Sequence, residues 1–160
     1  MPYIDKRTYA LEVYEIEEFI LDHIPYRIKV LKNVISYPIK MNTDDLWPSI
    51  YESAQIVCRM FIQFFGLRTD PKDRTKLKHS HNYYSVDGKT SFEVKVIDLK
   101  FEFVRVEELT IEEQNVLAHA YEAGSKATAH LTYKSSFQTD HAKVIEAAVL
   151  ILRMIESRLI

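Results

Sequence analysis

The sequence predicts a mainly α protein, a four-helix bundle with a small β-hairpin insert between the second and third helices. Apolar residues recur at helical spacing in four long stretches, and capping or stop residues bound those stretches. A shorter stretch alternates apolar with polar residues beside an Asp-Gly pair, as in a hairpin. No Pro/Gly/Ser-rich linker divides the chain, so we expect residues 1–160 to form a single domain.

The first helix is predicted over residues 7–36. Its first half is acidic and its second half basic, a polarity that complements the helix dipole. Pro25 lies in its interior and predicts a kink or a break, and Pro38 ends the pattern. The predicted buried face comprises Val13, Ile16, Ile20, Ile24, Leu31 and Ile35.

The second helix is predicted over residues 44–66, with its cap at Asp44 or Asp45, because Pro48 is tolerated only in the first turn. Gly66 suits the left-handed position just after the helix end. Cys58, the only cysteine, falls on the apolar face and is interpreted as a buried small hydrophobe. That face comprises Leu46, Ile50, Ala54, Val57, Cys58, Phe61, Ile62 and Phe65.

Residues 67–82 are predicted to form a polar loop, the best candidate for disorder in the chain. The β-insert is predicted at about residues 83–106. Asp87-Gly88 suits a two-residue hairpin turn, and the residues around Val94 and Phe101 alternate apolar with polar.

The third helix begins at a capping box, Thr110-Ile-Glu-Glu113, and is predicted to reach about Tyr133. The last helix is predicted from about Thr139 to the C-terminus. Its buried stripe comprises Val144, Ile145, Ala148, Ile151, Leu152, Ile155 and Leu159.

Composition excludes several classes of function. The net charge is −2, so no global field points to nucleic acid, and any such contact needs a local basic patch. The three glycines do not cluster into a phosphate-cradling loop, which argues against nucleotide enzymes. The N-terminus lacks the apolar core of a signal peptide, and no apolar run approaches the ~18 residues of a membrane span. We therefore expect a cytoplasmic protein without a membrane segment or a cofactor.

One face of the third helix carries the candidate chemistry. At about 100° per residue, five polar side chains fall within an arc of about 80°. They are His119, Glu122, Lys126, His130 and Tyr133. One interpretation is a solvated face with Glu122 paired to Lys126. The other is a surface facing phosphate or RNA, with His130 as an acid/base group and Lys126 as a charge clamp.

The polar loop is a second candidate surface. Its basic residues include Arg68, Arg74 and Lys78, which could contact phosphates nonspecifically or simply be solvated. His79 and His81 could chelate a metal, but no carboxylate or cysteine at ligand spacing completes the set. We therefore predict no metal site.

Three segments resemble sequences of the HEPN superfamily, in particular uncharacterised bacterial members grouped with abortive-infection proteins. They are Lys126-Ala-Thr-Ala-His130-Leu-Thr, Arg59-Met-Phe-Ile-Gln-Phe-Phe-Gly66, and Val94-Lys-Val-Ile-Asp98-Leu ahead of Glu108-Leu-Thr110. The resemblance covers the chain from the second half of the second helix onward.

The resemblance implies a helical bundle that often dimerises and binds RNA. Some members are metal-independent ribonucleases of toxin–antitoxin or phage-defence systems, with four to six residues between an arginine and the histidine that follows it. At the resembling position this chain has Lys126, closer to His130, and lysine lacks the planar fork of arginine. Arg74 and His79 match the spacing, but they lie in the predicted loop.

The resulting hypothesis is an HEPN-like RNA-associated domain in bacterial defence or stress response, forming a homodimer. In it, Lys126 and His130 would be catalytic, and His119, Glu122, Tyr133, Arg74 and His79 would contact RNA. The alternative is a non-enzymatic helical module that binds another protein, such as an antitoxin.

Overall fold

The computed structural model describes residues 3–4, 11–37, 46–80, 83–84, 94–128 and 139–159. Its helices are α1 (Val13–Glu18), α2 (Ile24–Ser36), α3 (Trp47–Phe64), α4 (Ile111–Thr128) and α5 (His141–Leu159). Its strands are β1 (Tyr3–Ile4), β2 (Leu67–Thr69), β3 (Leu77–His79) and β4 (Tyr83–Tyr84). A π-helical segment, Phe19–His23, joins α1 to α2, so these form one long first helix. The prediction of a mainly helical protein with four helices and a small hairpin between the second and third is confirmed.

The first helix changes its hydrogen-bonding pattern just ahead of Pro25. The N–H of Ile24 donates to the carbonyl of Phe19, the wider spacing of a π-helix, and Pro25 lies in the first turn of α2. Proline cannot donate a backbone hydrogen bond and its ring crowds the preceding turn, so the α-helical pattern is interrupted here. The predicted break is confirmed.

The predicted buried face of the first helix is only partly correct. Of the predicted residues, Ile24 and Leu31 are buried, whereas Val13, Ile20 and Ile35 are exposed. The reason lies in the packing: α2 contacts α3 and α5, but α1 mainly contacts the π-helical segment that follows it. The spacing of apolar residues cannot show which part of a helix is covered by other helices.

Helix α3 lies at the centre and contacts α2, α4 and α5. It begins at Trp47 with Leu46 at the N-cap, later than the predicted Asp44 or Asp45, and Pro48 is in the first turn as predicted. Gly66 adopts a positive φ of 83°, which confirms the left-handed position after the helix.

The hairpin lies at residues 67–79, where a loop was predicted. β2 and β3 pair antiparallel, with Leu67 opposite His79 and Thr69 opposite Leu77. Leu67 and Leu77 are buried, so two apolar side chains hold the ribbon on the core despite its charged composition. Backbone and Asp side-chain hydrogen bonds between residues 70 and 76 close the turn.

The predicted β-insert at 83–106 is not a hairpin over its described residues. β4 pairs with β1, and residues 85–93, including Asp87-Gly88, lie outside the described residues. Val96–Leu99 and Val106–Glu108 are 3-10 turns. Val96, Leu99 and Val104 are buried in the shared core, but the polar Lys95 and Asp98 are buried too, so burial here does not follow the alternation that predicted strands.

Gly124 sets the distance between α3 and α4. A Cβ at this position would lie 2.5 Å from both the Gln55 carbonyl oxygen and the Arg59 Cβ. The absence of a side chain therefore allows α4 to approach the α3 backbone closely. None of the described helices is long and apolar enough to cross a membrane.

Candidate anion-binding cleft

A polar cleft of about 500 Å³ lies where the hairpin turn, α4 and the first turn of α5 meet. Its lining residues are Arg74 and Thr75 from the turn, Asn115, His119 and Glu122 from α4, and Lys143 from α5. Three separate stretches of sequence therefore contribute to one site, and three of the predicted site residues meet in it.

Glu122 is the buried anchor of the cleft. Its side chain is 6% exposed, and its carboxylate accepts the Thr69 hydroxyl at 2.6 Å and Arg74 Nη1 at 3.0 and 3.3 Å. The interpretation of a solvated Glu122 paired with Lys126 is therefore wrong. The hairpin covers this part of α4, and its own Thr69 and Arg74 provide the partners that a buried carboxylate requires.

Arg74 is held at one end and exposed at the other. Nη1 bonds to Glu122, while the side chain as a whole is 66% exposed. A guanidinium carries five N–H donors in a rigid plane, so a group anchored through one nitrogen can present others to an anion. Glu122 thus orients a cation at the edge of the cleft.

His119 joins α4 to the start of α5. Its Nε2 accepts the backbone N–H of Asp140 at 2.9 Å, so the neutral ring carries its proton on Nδ1. Burial lowers the pKa of His119, as does the nearby Lys143, while Asp140 opposes the shift. His119 is therefore neutral at pH 7 and positions α5.

Lys143 is an exposed cation in the first turn of α5, and Asp140 Oδ1 accepts the backbone N–H groups of Ala142 and Lys143 at 3.0 and 3.4 Å. Among the described residues, the ionised side chains that line the cleft are Arg74, Lys143 and Glu122, two positive and one negative. The two cations outnumber the carboxylate, so the cleft favours an anion, and the amide of Asn115 adds a neutral donor; the Thr75 hydroxyl already donates to Asp73 Oδ1 at 2.6 Å.

Of the other predicted site residues, Lys126 and His79 do not line this cleft. Lys126 is exposed on α4, one turn beyond Glu122, and His130 and Tyr133 lie outside the described residues. His79 Nε2 accepts the N–H of Val106 at 3.1 Å, so its 3.9 Å approach to Glu107 is not a charged pair while that bond is made.

Arg74 and His79 have the arginine–histidine spacing of the resembled superfamily, but they engage different parts of the protein. Arg74 contacts Glu122 on α4, and His79 contacts Val106 in the second 3-10 turn. A strand and turn connect them here, so the spacing does not produce a shared site.

Sequence reasoning missed Lys143, Asn115 and Thr75. Lys143 could have been noticed, because a lysine in the first turn of a helix is at the unfavourable end of the dipole. No such signal marks Asn115 or Thr75. Within the described ranges, no three His, Cys, Asp or Glu side chains cluster as metal ligands would.

Comparison of the chain with protein-family models, with curated proteins and with solved structures finds no match.

Proposed function

We propose that this protein is an HEPN-like RNA-associated domain that receives a backbone phosphate of RNA in the cleft. The single observation that supports the proposal most is that Arg74 and Lys143 line the same recess, with Arg74 oriented by the buried Glu122. Phosphate contacts supply most of the nonspecific affinity for nucleic acid, and oriented arginines make the strongest of them.

The same helix could extend the RNA path beyond the cleft. Lys126 is exposed one turn from Glu122, and His130 follows four residues later in the sequence, outside the described residues. In the proposed metal-independent cleavage, His130 activates the ribose hydroxyl or protonates the leaving oxygen. Lys126 stabilises the charge on the phosphorane.

The proposed setting is bacterial defence or stress response in the cytoplasm, with a homodimer as the working form and an antitoxin or another protein as a partner. These are proposals that follow from the resemblance to the HEPN superfamily. The cleft supports only their chemical part: two cations line it, and its volume of about 500 Å³ leaves room for a phosphate group and the nucleotide attached to it.

The binding test compares Lys143→Ala with Arg153→Ala, which removes an equal charge from an exposed position on the same helix outside the cleft. We expect Lys143→Ala to weaken binding to a single-stranded RNA and to lower the slope of log affinity against log salt by about 1. Fluorescence anisotropy over a salt series measures both. Equal slopes for the two variants would rule out a phosphate contact in the cleft.

The cleavage test compares wild type with His130→Ala after circular dichroism has shown that both are folded. We expect cleavage of a labelled RNA in the presence of EDTA by wild type and its loss in the variant. Equal cleavage by both proteins would remove His130 from the mechanism, and the binding result would then stand without catalysis.

The competing function is a non-enzymatic helical interaction module. The observation that favours it is the exposure of large apolar side chains on the first helix, including Tyr14, Leu21 and Tyr26. If RNA affinity is unchanged by Lys143→Ala and no cleavage is seen, this second function is preferred.

A further inference from the structure

The first helix exposes a row of large apolar side chains. Leu21 is 70% exposed and Tyr26 is 69% exposed, and Val13 and Tyr14 add to the same helix further towards its start. Single exposed apolar residues are ordinary, but several along one helix mark a surface that another molecule covers. We define the first-helix face as the apolar Tyr14, Leu21 and Tyr26 together with the exposed charged residues of the same helix, which are Glu17, Glu18, Asp22, Lys29 and Lys32.

The charges beside these apolar residues change sign along the helix. Glu17, Glu18 and Asp22 are exposed in its first half, and Lys29 and Lys32 are exposed in its second half. A helix with this polarity is complementary to a copy of itself running in the opposite direction. An unlike partner would need to supply the opposite pattern independently, whereas a second copy supplies it by symmetry.

The centre of the face is concave. An open recess of about 450 Å³ is lined by Leu21, Asp22, His23, Pro25, Tyr26 and Lys29. His23 is midway in sequence between Glu17 and Lys29, so a two-fold axis near His23 would bring Glu17 of each copy to Lys29 of the other. The same axis brings Leu21 of each copy to the recess of the other.

We propose that the first-helix face is the interface of a homodimer in which two copies pack antiparallel about a two-fold axis near His23. Leu21 and Tyr26 form the apolar centre of the interface. The Glu17–Lys29 contact occurs twice, once on each side of the two-fold axis, and makes the two helices pack antiparallel. The π-helical segment widens the helix at this point, and Pro25 contributes to the recess that receives the partner. The proposal does not depend on RNA, because none of these residues lines the anion-binding cleft.

The apolar centre is tested with Leu21→Glu, with Ile111→Glu as the matched control. Ile111 is equally exposed and apolar but lies at the start of α4. Sedimentation over a concentration series should show a wild-type dimer, roughly a hundredfold weaker association for Leu21→Glu, and no change for Ile111→Glu. A monomeric wild type, or equal association for the two variants, would overturn the proposal.

The direction of packing is tested by charge reversal. Glu17→Lys and Lys29→Glu should each weaken association by roughly tenfold, since each places like charges together twice. The double variant Glu17→Lys/Lys29→Glu should regain most of the wild-type association. Failure of the double variant to recover would exclude the antiparallel arrangement. Both residues are exposed, and thermal melts of the variants verify that folding is retained.

Discussion

At the scale of single residues, the Glu122 carboxylate shows how a charged group is retained in a packed interior. It accepts one hydrogen bond from the buried Thr69 hydroxyl and is paired with Arg74, which remains largely in water. The solvent-exposed partner weakens the Coulomb attraction by screening. The hydrogen bonds therefore matter more than the charge, and Arg74 serves both stability and the proposed phosphate contact.

Removing Arg74 should test this dual role. We expect Arg74→Ala to lower the free energy of unfolding by about 1–2 kcal/mol, because it leaves a buried carboxylate with fewer partners. Arg74→Lys keeps the charge and should cost less, while still weakening RNA binding through loss of the planar fork. Urea unfolding followed by circular dichroism measures the stability. A wild-type unfolding midpoint in Arg74→Ala would show that Glu122 does not need its arginine.

At the scale of elements, the junction between α4 and α5 depends on a neutral imidazole. His119 Nε2 accepts the Asp140 N–H one residue before α5 begins, and Asp140 in turn caps the first turn through its side chain. Protonation of Nε2 would replace an acceptor with a donor and break the contact. The start of α5, and with it Lys143 at the cleft, is therefore sensitive to pH.

The direction of that sensitivity follows from the lowered pKa of His119, whose ordinary value is 6.5. Above that value the imidazole is neutral in both the folded and the unfolded protein, so its full contribution to the free energy of unfolding is present. As the pH falls below it, the unfolded state takes up the proton first, so stability is lost until the folded pKa is passed. His119→Gln, which cannot titrate, should lose less stability than wild type as the pH falls below the ordinary histidine pKa of 6.5.

Chemical denaturation at each pH measures the difference, and comparison of the two proteins cancels the titration of the other histidines. Parallel pH profiles for wild type and His119→Gln would show that His119 does not control the junction. In that case, burial and the charge of Lys143 would be too weak to lower the pKa of His119.

At the scale of the whole molecule, α3 connects the first helix, α4 and α5 into one core, and its residues face every other long helix. Cys58 is fully buried at its centre, and burial raises the pKa of its thiol to about 12. The prediction that Cys58 is a buried small hydrophobe is confirmed.

Because Cys58 is enclosed by the core, its reactivity should report opening of the core as a whole. We expect a disulfide reagent to label native protein at least roughly a thousandfold more slowly than protein unfolded in urea. A Cys58→Ala/Ser53→Cys variant, with its thiol on the exposed side of the same helix, should react rapidly while folded. Rapid labelling of native wild type would mean that the core opens locally around α3.

Local and periodic features were predictable from the sequence alone. The helices, the break at Pro25 and the left-handed Gly66 follow from short-range rules, in which each residue acts on neighbours a turn away. The described hairpin lies at residues 67–79, which were predicted as a loop, because two buried leucines suffice to hold a charged ribbon on the core. The predicted turn at Asp87-Gly88 lies outside the described residues.

The candidate site was likewise predictable in its residue types but not in its long-range contacts. The residue types on α4 pointed to phosphate chemistry, and Arg74 was named because it is basic, but nothing in the sequence joined Arg74 to Glu122 or brought Lys143 beside them. The Arg74–Glu122 contact links positions 48 residues apart in the chain (122 − 74), and Lys143, 69 residues after Arg74 (143 − 74), lines the same cleft. Burial of Glu122 arises only when the hairpin packs on α4. Periodicity determined which residues share a helix face, and tertiary packing decided which of those faces meets solvent, because exposure depends on neighbours that are remote in sequence.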